Sequence, residues 1–262
     1  MKITIFTSNQ PRHIRFVNEL ASCANKVNVV MESYTRFPGK LDGFYRKSET
    51  MQNYMQNVLS AEREIFPNSN LVNEKVDVFP LIDGDLNFLD QEELAPCLDS
   101  DMYVVFGSSF IKGWLLDFLV GKGAINLHMG LSPYYRGAYC NFWALYDGRP
   151  NYVGGTIHLL SKGLDSGPIL FHSVPNYDGE DFFSYSMKSV LATQDDLISS
   201  IRNGYISKMS TFQQDRNKEI RYSTMGEFTD DVANDFMSRD LSADLLIQQL
   251  TSTDRPDLQL LH

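Results

Sequence analysis

Three features of this sequence predict an α/β protein with a Rossmann-like, mostly parallel sheet flanked by helices, plus a small C-terminal annex. The chain opens β-α-β, short β-branched runs then alternate with helical stretches as far as residue 204, and the periodicity fades beyond Ile206. Residues 2–7 (KITIFT) form the first strand and end in a polar loop. Ile14, Phe16, Val17, Leu20 and Ala21 then recur at helical spacing, and residues 27–31 give the second strand. Such an opening starts a parallel sheet with right-handed crossovers.

Residues 32–73 interrupt the pattern with a loop at Pro38 and Gly39 and a polar helix over 45–66. Its sparse apolar positions suit a helix lying across the surface or in an oligomer contact. The pattern then resumes: a strand at 76–81, a helix at 89–98, and a strand at 101–106 stopped by Gly107-Ser-Ser. A helix at 112–120, a strand at 124–128, a loop at 129–137 and a helix at 139–146 follow. Strands at 152–160 and 169–174 flank a Gly-Leu-Asp-Ser-Gly turn at 163–167. Residues 181–203 read as a helix, with Asp181 at its start and Gly204 just past its end. Beyond that only 243–250 looks helical, which divides the chain into a domain over 1–204 and an annex over 205–262.

With 23 Lys+Arg against 33 Asp+Glu, the formal charge is −10, a surface that repels phosphate backbones and disfavours a nucleic-acid partner. No run of about 18 apolar residues exists, since Asp117 breaks the longest patch, so no membrane span is expected. Cys23, Cys97 and Cys140 are odd in number and lack metal-ligand spacing, and no secretory signal precedes the first strand. These features describe a reduced, cytoplasmic protein with no metal site.

The chemically informative stretch is residues 124–138. Alternation along a strand puts Asn126 and His128 on one face at the strand's carboxyl end, where open α/β sheets place their ligand crevices. An amide donor beside an imidazole suits acyl transfer: Asn donates to a developing oxyanion, and His moves a proton or shares that donation. Taken as a pair alone, a satisfied structural histidine and a strand-end cap asparagine are the leading explanation, and the downstream Ser-Pro-Tyr-Tyr-Arg-Gly loop is what favours a functional one. Asp165 sits in the Gly-rich turn, where it either orients the imidazole or serves its own backbone.

Together these pieces resemble the folate-dependent formyltransferase family, most closely its nucleotide-sugar N-formyltransferases. The resemblance is strongest over residues 101–174 and weaker over the first 30. The family's Asn-x-His strand end, Leu-x-Pro-x-x-Arg-Gly loop and later Asp before Gly-x-Ile match Asn126 and His128, residues 131–137, and Asp165. Met129 stands where a proline is usual, and Ser132 where a leucine is common. The resemblance implies the formyltransferase fold, N10-formyltetrahydrofolate as co-substrate, and Asn126, His128 and Asp165 as catalytic residues. His128 as oxyanion stabiliser and His128 as general base both remain open. It also implies that the pterin lies against Phe106, Gly107, Ser108, Phe110, Ile111, Leu164 and Gly167, largely on backbone groups.

The short, acidic 205–262 annex does not look like the basic barrel of the methionyl-tRNA branch, and Thr7-Ser8-Asn9-Gln10 lacks the glycines of the purine branch. The expected acceptor is a nucleotide-linked amino-dideoxy sugar, such as a GDP- or dTDP-4-amino-4,6-dideoxyhexose used in O-antigen and lipopolysaccharide synthesis. A methionyl-tRNA formyltransferase-like enzyme and a 10-formyltetrahydrofolate hydrolase are the alternatives. Ser8, Asn9, Gln10, Arg12 and His13 are candidates to hold phosphate or sugar hydroxyls at a helix N-terminus, with a solvated helix start as the rival reading. Tyr134, Tyr135 and Arg136 are candidates to contact sugar or base, Arg136 alternatively bracing its loop, while Phe142 and Trp143 are expected in the core. A homodimer is expected from the family.

Overall fold

The β-branched and aromatic runs become strands: β1 (Lys2–Ser8), β2 (Lys26–Ser33), β3 (Val76–Ile82), β4 (Met102–Phe106), β5 (Ile125–His128), β6 (Tyr135–Gly137), β7 (Gly155–Leu159), β8 (Ile169–Ser173) and β9 (Arg221–Ser223). The computed structural model describes residues 1–33, 47–67 and 70–261. Seven of the strands form one sheet in the order β3-β2-β1-β4-β5-β7-β8. The β3-β2-β1-β4-β5 pairs are all parallel, and β7 runs antiparallel to both β5 and β8. The sheet is therefore mostly parallel, with one reversed strand beside the strand that carries Asn126 and His128.

Among the described residues eight α-helices flank it: α1 (Pro11–Cys23), α2 (Glu49–Ile65), α3 (Gln91–Leu94), α4 (Gly113–Gly121), α5 (Cys140–Tyr146), α6 (Phe182–Arg202), α7 (Asp230–Ser238) and α8 (Ala243–Ser252). Alternation along β1 sends Ile3 and Ile5 into a core with Phe16 and Leu20 of α1 and Leu197 and Ile198 of α6. Phe6 faces the other way, toward Leu94, Leu115 and Leu119. With both faces covered, β1 is buried at nearly every position.

Several elements differ from the sequence expectation for identifiable reasons. The helix expected at 45–66 begins at Glu49, where the Ser48 hydroxyl accepts a hydrogen bond from the Met51 amide. Tyr45, Pro38 and Gly39 lie outside the described residues. Tyr54, Leu59 and Ala61 of α2 are buried, and the helix packs on α6 and α7 within the protomer. The helix expected at 89–98 is instead a short α3 followed by a 3-10 turn at Ala95–Cys97, broken by Pro96. The strand expected from 152 starts at Gly155, because Pro150–Tyr152 is a 3-10 turn. β6 pairs in parallel with β9 inside what had read as a loop. The C-terminal helix α7 escaped the periodicity because only Ala233 and Phe236 of it are buried.

A third core joins the C-terminal segment to the α2, α5 and α6 side of the fold through aromatic edges. Phe142 of α5 meets Phe228 at 4.7 Å, Phe236 at 5.0 Å and Tyr54 at 5.8 Å between ring centroids. Trp143 is buried beside it, with the Arg221 guanidinium 3.6 Å from its ring centre. Truncating this hub leaves a cavity that three separate elements cannot collapse into. Phe142→Ala is expected to cost about 3–5 kcal/mol in urea unfolding; a loss below about 1 kcal/mol would show that the cluster is not a shared core.

Candidate active site

The antiparallel register of β5 and β7 builds the polar end of the site. Asn126 stands opposite His158 and His128 opposite Thr156, so four polar side chains share one stretch of sheet. Asp165 arrives from the turn before β8. Its Oδ1 lies 3.4 Å from His128 Nδ1 and 3.4 Å from Asn126 Nδ2. These separations are long, as catalytic hydrogen bonds commonly are before substrate binds.

His158 fixes the asparagine. Its Nδ1 lies 2.8 Å from the Leu159 carbonyl, an acceptor only, so Nδ1 carries the hydrogen and Nε2 accepts from Asn126 Nδ2 at 3.0 Å. Burial pushes this imidazole down to about 4, so the ring stays neutral near neutral pH. Thr156 Oγ1 donates to the Gly130 carbonyl at 2.6 Å and accepts from the Ser132 amide at 2.9 Å, pinning the chain just after His128. On the far side of His128, Cys140 Sγ lies 3.6 Å from Nε2. Burial pushes that thiol up, so the imidazole faces a neutral S–H group.

Asn126, His128, His158 and Asp165 form the polar end of a cleft of about 550 Å³. Its walls are Phe106, Phe110, Ile111 and Leu116 on one side and Leu160 and Leu164 on the other, with Gly107 and Ser108 at the strand end. Gly107 has φ +70°, and a Cβ there would stand 2.4 Å from His13 Nε2, so only glycine allows this approach. The 107–111 loop is tied down by Glu32, fully buried, which accepts from the Ser109 amide at 2.6 Å, the Ser109 hydroxyl at 2.8 Å and the Gly84 amide at 3.0 Å.

The Asp165 turn is held from outside itself. Asp165 adopts φ +45°, a left-handed conformation that needs support. Gln214 Nε2 donates to the carbonyls of Asp165 and Gly167 at 2.8 Å each, and Arg136 Nη2 donates to the Leu164 carbonyl at 2.8 Å. A Cβ on Gly167 would fall 1.7 Å from the Leu159 carbonyl oxygen, so the turn sits directly on β7.

The structure thus brings Asn126, His128 and Asp165 together and lines the cleft with Phe106, Gly107, Ser108, Phe110, Ile111 and Leu164. Gly167 lies under the turn and does not line the cleft. The substrate candidates need correction. Ser8, Asn9 and Gln10 do not line it, and Ser8 Oγ meets His13 Nδ1 at 2.8 Å. His13 does line the cleft, against Gly107, but it is buried, and burial with the neighbouring Arg12 charge pushes its pKa well below the usual value. Arg12 does reach the cleft, but its guanidinium is matched by the buried Glu62 carboxylate at 2.7 Å and by Gln10 Oε1 at 2.8 Å.

Tyr134 and Tyr135 are buried because pairing of β6 with β9 turns them toward the C-terminal segment. Their hydroxyls meet the Asp257 backbone at 3.0 Å and Asp147 Oδ2 at 3.1 Å. Arg136 braces the turn and pairs with Glu219 at 2.9 Å, outside this cleft. Sequence reasoning missed His158, Thr156, Gln214 and Glu32. Thr156-Ile-His158 was the available signal: two polar residues alternating within an apolar strand.

Two measurements follow from this geometry. His13, His158 and His172 are all held below the usual 6.5 by burial, so the unfolded chain binds more protons as pH falls below 6.5. Their stabilising contribution is complete above 6.5 and is lost as pH drops toward the folded value of about 4 for His158. Thermal melts should show a falling Tm across that window and a shallower fall in His158→Gln; an unchanged slope in the variant would remove His158 from this linkage. Gln214→Ala should lower turnover about tenfold or more by loosening Asp165 while leaving the far-ultraviolet spectrum intact. Full turnover would show that the turn holds itself.

Residues 99–198 match the formyl transferase family model. A formyltetrahydrofolate deformylase from Arabidopsis thaliana is 31% identical over 93 residues, 36% of this chain and 25% of the relative. A methionyl-tRNA formyltransferase from Thermodesulfovibrio yellowstonii is 44% identical over 59 residues, 22% of this chain and 19% of the relative. The chain therefore spans a quarter or less of the length of these two curated relatives. Among solved structures, a sugar N-formyltransferase from Shewanella sp FDAARGOS_354 superposes with TM-score 0.53 at 18% identity, covering 87% of this chain and 78% of the other. The formyltransferase PseJ from Anoxybacillus kamchatkensis, in complex with UDP-4,6-dideoxy-4-formamido-L-AltNAc and tetrahydrofolate, superposes with TM-score 0.50 at 16% identity, covering 94% and 97%. Over residues 99–198 the chain is thus formyl-transferase-like in sequence, and over nearly its whole length it has the fold of the sugar N-formyltransferases.

Proposed function

We propose that this protein transfers a formyl group from N10-formyltetrahydrofolate to the primary amine of a nucleotide-linked amino-dideoxy sugar. The observation that carries this reading is the convergence of Asn126, His128 and Asp165 at the polar end of a largely apolar cleft. The cleft suits the folate: flat apolar walls at Phe106, Ile111 and Leu160 would take the pterin faces, and the backbone of residues 163–165 would meet its polar edge. Bound there, the co-substrate would supply an activated formyl carbon.

The chain's own groups have separable tasks. Asn126 Nδ2, held in place by neutral His158, donates toward the oxygen on which negative charge grows when the amine attacks. Asp165 orients His128 through Nδ1, and His128 shares that donation or moves the proton that passes from the incoming amine to the departing N10. Residues 1–204 would then be the catalytic unit and 205–262 an annex that holds the Asp165 turn through Gln214.

The sugar-nucleotide acceptor is supported by the printed descriptions of the two solved neighbours and by the charge of −10, which opposes a tRNA partner. Such a product would serve O-antigen and lipopolysaccharide synthesis. The test is incubation with N10-formyltetrahydrofolate and GDP-, dTDP- and UDP-linked amino sugars, following tetrahydrofolate release and product mass. The expected result is one added formyl group on a single sugar. Formylated methionyl-tRNA, or formate release without an acceptor, would overturn the choice of acceptor. Asn126→Ala and Asp165→Asn should each lower kcat by about 10²–10³ in a folded protein, and wild-type turnover in either would remove that residue from the mechanism.

A further inference from the structure

Behind the catalytic turn lies a second hollow, of about 390 Å³, lined by Arg136, Leu164, Arg216, Glu219 and Tyr222. Two guanidinium groups face one carboxylate there, a local positive excess in a chain of charge −10. The Arg136 side chain is 7% exposed; Nη1 donates to Glu219 at 2.9 Å and Nη2 to the Leu164 carbonyl at 2.8 Å. Its Nε is buried with no hydrogen-bond partner, a deficit that native structures rarely leave uncompensated. Arg216 is exposed, and among the described residues its guanidinium makes no ion pair or hydrogen bond.

The hollow adjoins the cleft across the Asp165 turn. Leu164 lines both and adjoins Asp165, while Arg136 adjoins Gly137, a cleft residue. Tyr222 sits opposite Arg136 in the β6/β9 ladder, half-exposed, with the Arg136 guanidinium 5.7 Å from its ring centre. We infer that this hollow is an anion subsite that takes the diphosphate of the acceptor, with the Tyr222 ring offering a face to the attached nucleoside.

The inference rests on the proposed acceptor. With the amine beside Asp165, one pyranose ring carries the chain of atoms past Leu164, and the diphosphate that follows meets Arg136 and Arg216. Glu219 is 30% exposed and is free to turn toward solvent as the phosphate oxygens replace it. The glutamyl carboxylates of a folate tail are the other source of the same anionic chemistry.

The test titrates inorganic pyrophosphate into the full-length protein by calorimetry. Arg216→Glu should weaken binding at least tenfold, while Lys208→Glu, at an exposed lysine that does not line the hollow, should not. Equal pyrophosphate binding by wild type and Arg216→Glu overturns the subsite. In the formyl-transfer assay, Arg216→Glu should raise KM for the nucleotide sugar about tenfold and leave KM for the phosphate-free amino sugar unmoved. A rise confined to polyglutamylated folate assigns the hollow to the folate tail and overturns the diphosphate assignment. If no amino sugar is formylated at all, the acceptor reading fails, and the pyrophosphate titration still decides whether an anion subsite exists.

Discussion

The antiparallel pairing of β5 with β7 is the constraint on which the site depends. In a sheet that is otherwise parallel on that side, one reversed strand sets Asn126 against His158 and His128 against Thr156. Side chains alternate with a period of two, so a slip of one residue would carry all four polar groups to the opposite face. Gly167 enforces the arrangement from above, since only a residue without Cβ lets the Asp165 turn rest on the Leu159 carbonyl. The neutral tautomer of His158 then follows from its own neighbour's carbonyl, and the orientation of the Asn126 amide follows from His158.

The C-terminal segment completes what the sheet begins. Asp165 occupies a left-handed conformation, and the groups that hold it are remote in sequence: Gln214 from the segment itself and Arg136 from the loop that β9 pairs with. The aromatic cluster around Phe142 gives that segment its own purchase on α2, α5 and α6. Packing remote from the cleft is thereby coupled to the position of the Asp165 carboxylate.

Buried charge is used sparingly and is matched. Glu32 is fully enclosed and accepts three donors, which converts a costly desolvated carboxylate into the anchor of the 107–111 loop. Glu62, also buried, meets Arg12 and offsets that cation's charge at the edge of the cleft. The catalytic cleft is left with little unmatched positive charge, whereas the neighbouring Arg136 and Arg216 hollow keeps an excess.

The sequence by itself determined the α/β class, the strand that carries Asn126 and His128, and the turn that carries Asp165, because period-two alternation and Gly-rich turn chemistry are local properties of the chain. The same holds for the loop at Gly107, a strand end marked by composition alone. Tertiary structure decided the rest. Tyr134, Tyr135, Ser8 and His13 looked like substrate contacts because each is polar and lies near a strand end; pairing of β6 with β9 turned the tyrosines away, Ser8 is buried, and His13 lines the cleft only as a buried ring whose Nδ1 meets Ser8 Oγ. Arg12 was silenced by Glu62, fifty residues away. His158 and Gln214 entered the site through a cross-strand register and a distant hydrogen bond. Which side chains meet across such separations depends on how the sheet pairs and how the last segment folds back, and neither leaves a periodic trace in the sequence.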